Sequence, residues 1–280
     1  MSINFFKYSG HGNDFVIIDS WDAQPAEQDL PKLARLISRQ KYGVGSDGVV
    51  FISEGPDEVD FAVRFFNSDG SEADMCGNAS RCAAHLAHNN HIAPAEMTFK
   101  TKAGDIKASV NNDYVSVRMP KIGKPDGVAL IDIDGFSQSY QRINTGVNHA
   151  VAWVDELDRL DVYKYGRFVR RHASFSPGAN VDFVRIVDKN TIEVRTYEIG
   201  VEDETLACGT GVTASAVLSA ANGKVEGDTI LCKTRGGEDL TVRFTGDPKD
   251  PKEVFLEGTV RYVFSGSLAP DALKADPQRR

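Results

Sequence analysis

Short stretches in which hydrophobic residues alternate with polar ones, or follow one another in a brief apolar run, occur along most of this 280-residue chain. Alternation with a period of two is typical of strands that bury one face. The first half carries such stretches at Asn4–Tyr8, Phe15–Asp19, Val49–Ser53, Phe61–Asn67, Met97–Thr101, Ile106–Val110 and Tyr114–Met119. The second half carries them at Gln141–Thr145, Ala150–Val154, Asp182–Val187, Thr191–Tyr197, Thr229–Thr234, Leu240–Phe244, Val254–Gly258 and Val260–Phe264. Many short strands with few helices predict an α+β fold whose sheets are largely antiparallel.

The predicted helices are of two kinds. Asp29 to Gln40 is amphipathic, with apolar residues at helical spacing, Asp29 as the N-cap and Pro31 in the first turn. The segments Gly77 to His88 and Thr210 to Ala221 are rich in small and apolar residues, and the second carries no charge. A helix that is apolar on all sides is a buried helix. Each of these two is therefore predicted to be the central helix of its own half, wrapped by strands.

The two halves repeat one order of features. Ala62–Asn67 leads through an acidic loop to Met75-Cys-Gly-Asn78, and Glu193–Glu198 leads through an acidic loop to Ala207-Cys-Gly-Thr210. Each half thus has a strand, a loop, a Cys-Gly pair and a buried helix, which predicts two pseudo-symmetric domains. We expect an N-terminal domain over residues 1–118, completed by a C-terminal strand at 263–280, and a C-terminal domain over residues 119–262.

Composition narrows the class of protein. The chain has 32 Lys+Arg against 40 Asp+Glu, a net charge of −8, and no basic block, so no nucleic-acid partner is expected. The N-terminus lacks a basic segment followed by an apolar one. The longest uncharged run, Thr205–Asn222, is too short and too rich in Gly, Ser and Thr for a membrane span. We therefore expect a cytoplasmic protein with no membrane partner.

The four cysteines are expected to be free thiols, because a reducing compartment does not sustain disulfides. Their spacing contains no C-x-x-C pair, so no metal site is expected. Cys82 and Cys232 are interpreted as small core residues. Cys76 and Cys208 each precede a predicted buried helix, where unpaired amide N–H groups and a partial positive charge stabilise a thiolate.

Two such helix starts suit one reaction. The amide groups of Gly77 and Asn78, and those of Gly209 and Thr210, form anion sites for a carboxylate. A thiolate can remove a proton from one face of the adjacent carbon while the other thiol returns a proton to the opposite face. The enolate-like charge develops where the amide dipoles point. The pattern thus favours a two-base racemisation at the carbon beside a carboxylate, with inversion of that carbon and no need for a cofactor.

The sequence resembles the diaminopimelate epimerases of the proline-racemase-like superfamily over almost its whole length. The motifs that carry the resemblance are Gly12-Asn-Asp-Phe15, Gly43-Val-Gly-Ser-Asp47, Asn67-Ser-Asp-Gly-Ser-Glu-Ala-Asp-Met-Cys-Gly-Asn78, Arg81-Cys82, Pro177-Gly-Ala-Asn-Val181 and Glu202-Asp-Glu-Thr-Leu-Ala-Cys-Gly-Thr-Gly211. The resemblance implies a cofactor-independent isomerase that interconverts LL- and meso-diaminopimelate on the route to lysine and peptidoglycan. It also implies a homodimer of two-domain subunits, with each sheet wrapped on a central helix and the active site in the cleft.

The resemblance further implies roles for single residues. Cys76 and Cys208 match the acid–base pair, and His149 and Glu198 match the groups that assist the thiols. The match also implies a cradle for the substrate carboxylate, formed by Gly77, Asn78, Gly209 and Thr210. Polar side-chain contacts to the substrate are implied for Asn13, Asn67 and Asn180.

The chain departs from the family pattern at three places. The family usually has Glu-Arg-Gly where this chain has Glu198-Ile-Gly200, and that Arg typically clamps the distal end of the substrate. An isoleucine can neither pair with a carboxylate nor donate a hydrogen bond. The family's Gly-Asn-Pro-His or Gly-Val-Pro-His is Gly146-Val-Asn-His149 here, and Ala79 stands where the family has a glycine.

Other hypotheses stay open. Ile199 favours a racemase of a different α-amino acid, and the cysteine pair alone fits a non-catalytic thiol or metal module. Gly43–Gly48 matches G-x-G-x-x-G, but a strand-like segment follows it instead of a helix, so no dinucleotide site is expected. A cysteine hydrolase built on Cys76 and His149 would leave the second Cys-Gly helix start unexplained.

Overall fold

A computed structural model describes residues 3–20 and 29–274 of the chain. The chain divides into two compact units, one formed by Met1–Val117 with Thr259–Arg280 and the other by Arg118–Gly258. No helix in the described ranges is both long enough and apolar enough to cross a bilayer.

Within residues 3–20, 29–117 and 259–274, the first unit contains two α-helices together with the first and last described strands. Its elements are β1 (Ile3–Gly10), β2 (Asn13–Asp19), α1 (Leu30–Ser38), β3 (Gly48–Ser53), β4 (Phe61–Asn67), β5 (Glu72–Ala73), α2 (Gly77–Asn89), β6 (Glu96–Thr101), β7 (Gly104–Asn111), β8 (Tyr114–Arg118) and β18 (Arg261–Leu268). β1 pairs with β18 and β2, β3 with β4, β4 with β5, β6 with β7, and β7 with β8, all antiparallel. The β2–β3 and β4–β6 pairs are parallel.

The second unit follows the same scheme. Its elements are β9 (Asp126–Ile133), β10 (Phe136–Asn144), β11 (Asn148–Trp153), α3 (Val162–Arg170), β12 (Asn180–Ile186), β13 (Thr191–Glu198), β14 (Asp203–Thr205), α4 (Gly209–Ala221), β15 (Thr229–Thr234), β16 (Asp239–Asp247) and β17 (Asp250–Thr259). β11–β12 and β13–β15 are parallel, and the ladders β9–β10–β11, β12–β13–β14 and β15–β16–β17 are antiparallel. The prediction of a largely antiparallel α+β fold is confirmed.

The strand ladders of the two units can be aligned residue by residue. Arg64 of β4 lies opposite Phe51 of β3 and forms a two-pronged ion pair with Glu72, with N–O distances of 2.7 and 3.1 Å. Arg195 of β13 likewise lies opposite Phe183 of β12 and pairs with Glu204, at 2.7 Å for both contacts. We call residues that hold the same place in these two ladders register-equivalent.

Helices α2 and α4 are the buried centres of their units, as their composition predicts. In α2 every residue from 77 to 87 is buried, and the helix packs against β1, β2, β3 and β7. In α4 residues 211–219 are buried, and the helix packs against β10–β13, β15 and β16. Since neither helix has a wide polar face, strands must cover each on several sides to remove its apolar surface from water.

The structure contains elements that the sequence pattern does not predict: α3, β9 and the two short return strands β5 and β14. Helix α3 begins after Asp161, whose side chain accepts a hydrogen bond from the backbone N–H of Lys164 at 2.9 Å. Its aromatic and β-branched residues, with Gly166 in the middle, have weak helix propensity. The helix therefore depends on tertiary packing: Gly166 lies so close to Tyr197 that a β-carbon at position 166 would overlap the Tyr197 side chain.

The last strand is shorter than expected. A C-terminal strand is expected at 263–280, whereas β18 ends at Leu268 and a 3₁₀ helix follows at Pro270–Leu273. Proline has no amide hydrogen to continue a ladder and fixes a backbone angle that suits the first turn of a helix. Residues 275–280 of the expected strand lie outside the described residues.

Candidate active site

The two candidate catalytic cysteines occupy the same position in their units. Cys76 is the residue before the first turn of α2, and Cys208 is the residue before the first turn of α4, both with extended backbone angles. The carbonyl of Cys76 accepts the N–H of Ser80 and that of Cys208 accepts the N–H of Val212, each at 2.8 Å. The amide groups of Gly77 and Asn78, and of Gly209 and Thr210, therefore belong to helix starts, where backbone donors lack intrahelical acceptors.

A carboxylate accompanies the thiol in the second unit. Glu198 ends β13, and its side chain accepts hydrogen bonds from the thiol of Cys208 and from Thr205 Oγ1, the latter at 3.1 Å. Cys208 Sγ also lies 3.4 Å from Thr210 Oγ1. The thiol is thus surrounded by oxygen atoms at the helix start.

Burial controls the protonation of this pair. Burial raises the pKa of Glu198 above its ordinary value, although hydrogen bonds from Thr205 and Cys208 work in the opposite direction. Burial also raises the pKa of Cys208 well above its ordinary value, and the negative charges of Glu198 and Asp182 add to the effect. Cys208 therefore holds its proton at neutral pH in this unit.

His149 interacts electrostatically with Glu198, and its ring is hydrogen bonded to Asp182. It begins β11 next to Asn148, is fully buried, and places Nδ1 at 2.7 Å from Asp182 Oδ2. The other carboxylate oxygen of Asp182 accepts a hydrogen bond from Thr196 Oγ1 at 2.8 Å. Among the described residues, His149 Nε2 has no hydrogen-bond partner. A buried ring nitrogen without a partner marks a place where a ligand can bind.

The first unit surrounds its helix start with amides. Asn78 Nδ2 donates to Asn13 Oδ1 at 3.3 Å, and Asn13 Nδ2 donates to Asp47 Oδ2 at 2.8 Å. Asn78 Oδ1 accepts from Arg81, a fully buried arginine, at 2.8 Å. Cys76 itself is only half-buried. The structure therefore brings Asn13 and Asn78 together in one network at the start of the helix that Cys76 precedes.

The remaining asparagines differ in their surroundings. Asn67 is exposed at the end of β4 and donates to Ser71 Oγ at 3.0 Å. It is register-equivalent to Glu198, so an amide in the first unit stands where the second has a carboxylate. Asn180 is buried, and its Oδ1 accepts the backbone N–H of Ile199 at 2.7 Å. The amide oxygen of Asn180 thus holds the turn that follows Glu198.

Ile199 presents an apolar side chain where the family has arginine. The side chain is 37% exposed, and two more exposed apolar residues, Val201 and Leu206, lie between it and Cys208 along the chain. The guanidinium of Arg170, at the end of α3, donates to Glu202 at 2.8 Å.

The other two cysteines are core residues. Cys82 in α2 and Cys232 in β15 are fully buried, and burial raises the pKa of each thiol, to about 12 for Cys82. Such thiols are inert at neutral pH. In the described ranges no three His, Cys, Asp or Glu side chains are gathered as metal ligands.

The sequence pattern does not identify the residues that hold the candidate site residues in place. Asp182 and Thr196 support His149, and Arg81 and Asp47 support Asn78 and Asn13, yet none of them was assigned a role. The signal for Asp182 in the sequence is a charged residue among the apolar residues of Val181-Asp-Phe-Val184. A buried acid in a strand needs a buried donor beside it.

The comparison with known families gives a full-length match. The model of the family described as "Diaminopimelate epimerase" matches residues 5–125 and 142–263. The diaminopimelate epimerase of Aquifex aeolicus (strain VF5) is 44% identical over 283 residues, which cover 97% of this chain and 100% of the relative. That of Hydrogenobaculum sp. (strain Y04AAS1) is 39% identical, with 94% of this chain and 97% of the relative covered.

Solved structures show the same fold at low identity. A hydroxyproline epimerase from Agrobacterium vitis superposes with a TM-score of 0.75 at 16% identity, covering 96% of this chain and 93% of that one. A phenazine biosynthesis protein of the PhzF family from Bacillus anthracis gives 0.73 at 18% identity, with 96% and 99% covered. These likenesses agree with the two-domain α+β architecture.

Proposed function

Because the chain belongs to the diaminopimelate epimerase family of isomerases, we propose that it interconverts LL- and meso-diaminopimelate, a precursor of lysine and peptidoglycan, by a two-base reaction without a cofactor. The observation that carries the proposal is that each unit has a buried central helix whose first turn is preceded by a cysteine.

The reaction is a proton exchange at one carbon. One thiolate takes the α-proton, and the electron pair of the broken C–H bond moves into the adjacent carboxylate as an enolate. The other thiol then donates its proton to the opposite face of the carbon, which inverts the configuration. The mechanism requires both sulfurs to reach the same α-carbon from opposite sides.

The protein supplies the electrostatics. Amide groups of Gly77 and Asn78 and of Gly209 and Thr210 are proposed to bind the reacting carboxylate, where helix-start dipoles stabilise developing negative charge. Cys208 holds its proton at rest because burial and the neighbouring carboxylates raise its pKa. In the direction that starts from this resting state, abstraction of the α-proton is assigned to Cys76, which has an amide, Asn67, at the position of Glu198; in the reverse direction the two thiols exchange roles.

The polar side chains are proposed to assist. Glu198 and His149 assist the thiols in proton transfer. Substrate contacts are contributed by Asn13, Asn67 and Asn180. For Asn180 the supporting geometry is indirect, since its amide oxygen is bound to Ile199 N–H. Asn13 is proposed to act together with Asn78, to which it is hydrogen bonded.

The experiment is a solvent-exchange assay. The purified protein is incubated in D₂O with either pure stereoisomer, and deuterium at Cα is followed by mass spectrometry together with the appearance of the other isomer. Exchange with epimerisation supports the proposal. Stoichiometric bound metal, with no exchange on any amino acid, would favour the thiol or metal module instead.

A second candidate function is supported by Ile199. Its exposed apolar side chain offers no charge for the distal carboxylate of diaminopimelate. A racemase for an α-amino acid without that group fits this residue. A panel of α-amino acids in the same exchange assay separates the two: a higher kcat/KM for another amino acid than for diaminopimelate identifies the second function.

We also propose that the chain forms a homodimer. Tyr262, Val263 and Phe264 of β18 are 51%, 55% and 45% exposed, an unusual amount of apolar surface for one strand. Light scattering on the purified protein measures the molar mass directly, and a mass of 30.6 kDa would contradict the proposal.

A further inference from the structure

A buried polar cluster occurs in the second unit at positions that are apolar in the first. The register-equivalent pairs are Phe15 and His149 at the starts of β2 and β11, Val50 and Asp182 in β3 and β12, and Phe65 and Thr196 in β4 and β13. All six side chains are buried. The fold itself therefore does not require polar residues there, since the first unit is built without them.

The helix above the cluster is adapted to it. Gly211 in the first turn of α4 lies over Asp182 and Thr196, and a β-carbon at position 211 would overlap Asp182 Oδ1 and lie 3.0 Å from Thr196 Oγ1. The corresponding residue of α2, third after its cysteine, is Ala79, which is buried. The glycine makes room for the carboxylate.

The contacts fix the proton on the imidazole. A carboxylate only accepts hydrogen bonds, so the ring atom facing Asp182 Oδ2 at 2.7 Å, Nδ1, must carry a hydrogen. Thr196 Oγ1 donates a hydrogen bond to the other oxygen of the carboxylate at 2.8 Å. In the neutral ring the remaining nitrogen, Nε2, is then the acceptor, and it has no partner among the described residues.

We propose that Asp182 is a positioning residue of the active site, which holds His149 in the Nδ1-protonated tautomer so that Nε2 is the hydrogen-bond acceptor offered to the bound amino acid. The proposal rests on the proposed isomerase function of the same site. The charged and titratable groups that act on this cluster are Glu198 from β13 and the Cys208 thiol at the start of α4, besides Asp182 from β12.

The closing experiment reads the histidine directly. The whole protein is labelled with [¹⁵N]histidine, and the His149 signals are assigned among the six histidines by their absence in His149→Gln. In the unsubstituted protein we expect a protonated Nδ1 and a bare Nε2. In Asp182→Asn, which keeps the size of the side chain, the amide can donate as well as accept, so we expect the proton to move toward Nε2.

Steady-state kinetics distinguish a role of Asp182 in positioning His149 from a role in stabilising the fold alone. Asp182→Asn is expected to lower kcat about 10- to 100-fold with little change in KM, by analogy with the loss of the partner that orients a metal-bound histidine. Its pH–rate profile should shift as well. Thr196→Val is the matched control, because it removes a buried hydrogen bond of Asp182 but leaves the contact with His149; it should keep the ring pattern and the pH profile.

The outcomes are separable from those of the exchange assay. A bare Nδ1 in the unsubstituted protein overturns the proposal even if Asp182→Asn does not fold. A drop in kcat with an unchanged ring pattern and pH profile also overturns it, since that is a structural effect. If no amino acid exchanges its α-proton, the proposed function fails while the NMR spectra still report the tautomer.

Discussion

The carboxylate of Asp182 fills the space in which a side chain at Gly211 would lie. The two residues belong to different elements, β12 and the first turn of α4, and both are buried. The helix that carries Cys208 and the strand that supports His149 are therefore matched to each other at one point of contact.

Gly211→Ala should destabilise the protein. Replacing a mid-helix glycine by alanine ordinarily stabilises by roughly 0.5–1 kcal/mol. Here the methyl group overlaps Asp182, and overpacking of this kind costs about 1–3 kcal/mol. Urea unfolding measures the difference. Ala79→Gly, the reverse change at the corresponding position of α2, should lose only the ordinary propensity, and a more stable Gly211→Ala would contradict the contact.

Cys76→Ser and Cys208→Ser should each reduce turnover by about 100-fold or more, because a serine hydroxyl is a much poorer general acid or base at neutral pH. The rate of epimerisation from both stereoisomers is the measurement. Cys232→Ala removes a buried thiol away from both helix starts, so it should lower stability without a comparable loss of rate. Full turnover in either serine variant would rule out a two-base mechanism.

Glu198→Gln should gain stability relative to the unsubstituted protein as the pH rises. The pKa of Glu198 is raised by burial, so the folded chain binds this proton more tightly than the unfolded chain. Its contribution to stability is present below the ordinary value of 4.5 and is lost as the pH rises through the raised value. Glutamine does not titrate, so the variant does not lose this contribution. Urea unfolding at a series of pH values measures the difference in stability between the two proteins.

Glu202→Gln is the control for that experiment. Burial of Glu202 acts to raise its pKa, but the Gly200 N–H and Arg170 outweigh this effect and lower it. Its stabilising contribution is therefore present above the ordinary value and lost as the pH falls, so Glu202→Gln should weaken the protein most at neutral pH. Equal trends with pH in the two variants would refute the assigned directions.

Ile199→Arg should raise kcat/KM for diaminopimelate about tenfold or more. A hydrogen bond to a charged group contributes about 1.5–3 kcal/mol, and 1.4 kcal/mol corresponds to a factor of ten. Val201→Arg adds the same charge to an exposed position of the same turn and controls for long-range attraction. An increase in Val201→Arg that equals the one in Ile199→Arg would show that position 199 is not the clamp.

Arg195→Gln should destabilise the protein far more than Arg64→Gln. The Arg195 and Glu204 side chains are 11% and 13% exposed, and Arg195 also donates to the carbonyls of Leu157 and Leu160 at 2.7 and 3.1 Å. Breaking a buried pair costs about 3–5 kcal/mol. The Arg64 and Glu72 side chains are 35% and 25% exposed, so about 1 kcal/mol is expected. Similar losses in the two urea unfolding curves would contradict this ranking.

Much of the fold follows from the sequence because its signals are local. The two Cys-Gly helix starts, the uncharged Thr210–Ala221 and the alternation of Phe61–Asn67 each identify an element without reference to any other part of the chain. The repeat of these signals then gives the two-unit architecture.

What the sequence does not reveal depends on contacts between distant residues. Helix α3 has weak propensity and forms because Gly166 packs on Tyr197 and Asp161 caps it. The partnership of Asp182 with His149 joins β12 to β11 and has no signature in spacing. Asn180 likewise matches a family substrate contact, yet only the structure shows its amide oxygen bound to Ile199 N–H.

The presence of Glu198 at the end of β13 and of Asn67 at the register-equivalent end of β4 means that the thiol that abstracts the proton has different surroundings in the two directions of the proposed reaction. The two stereoisomers lose their α-protons to different sulfur atoms, and these two sulfur atoms have different neighbours. The Haldane relation constrains only the ratio of the two kcat/KM values to the equilibrium constant. It leaves each kcat and each KM free to differ, so an enzyme assembled from two similar halves is expected to be kinetically asymmetric.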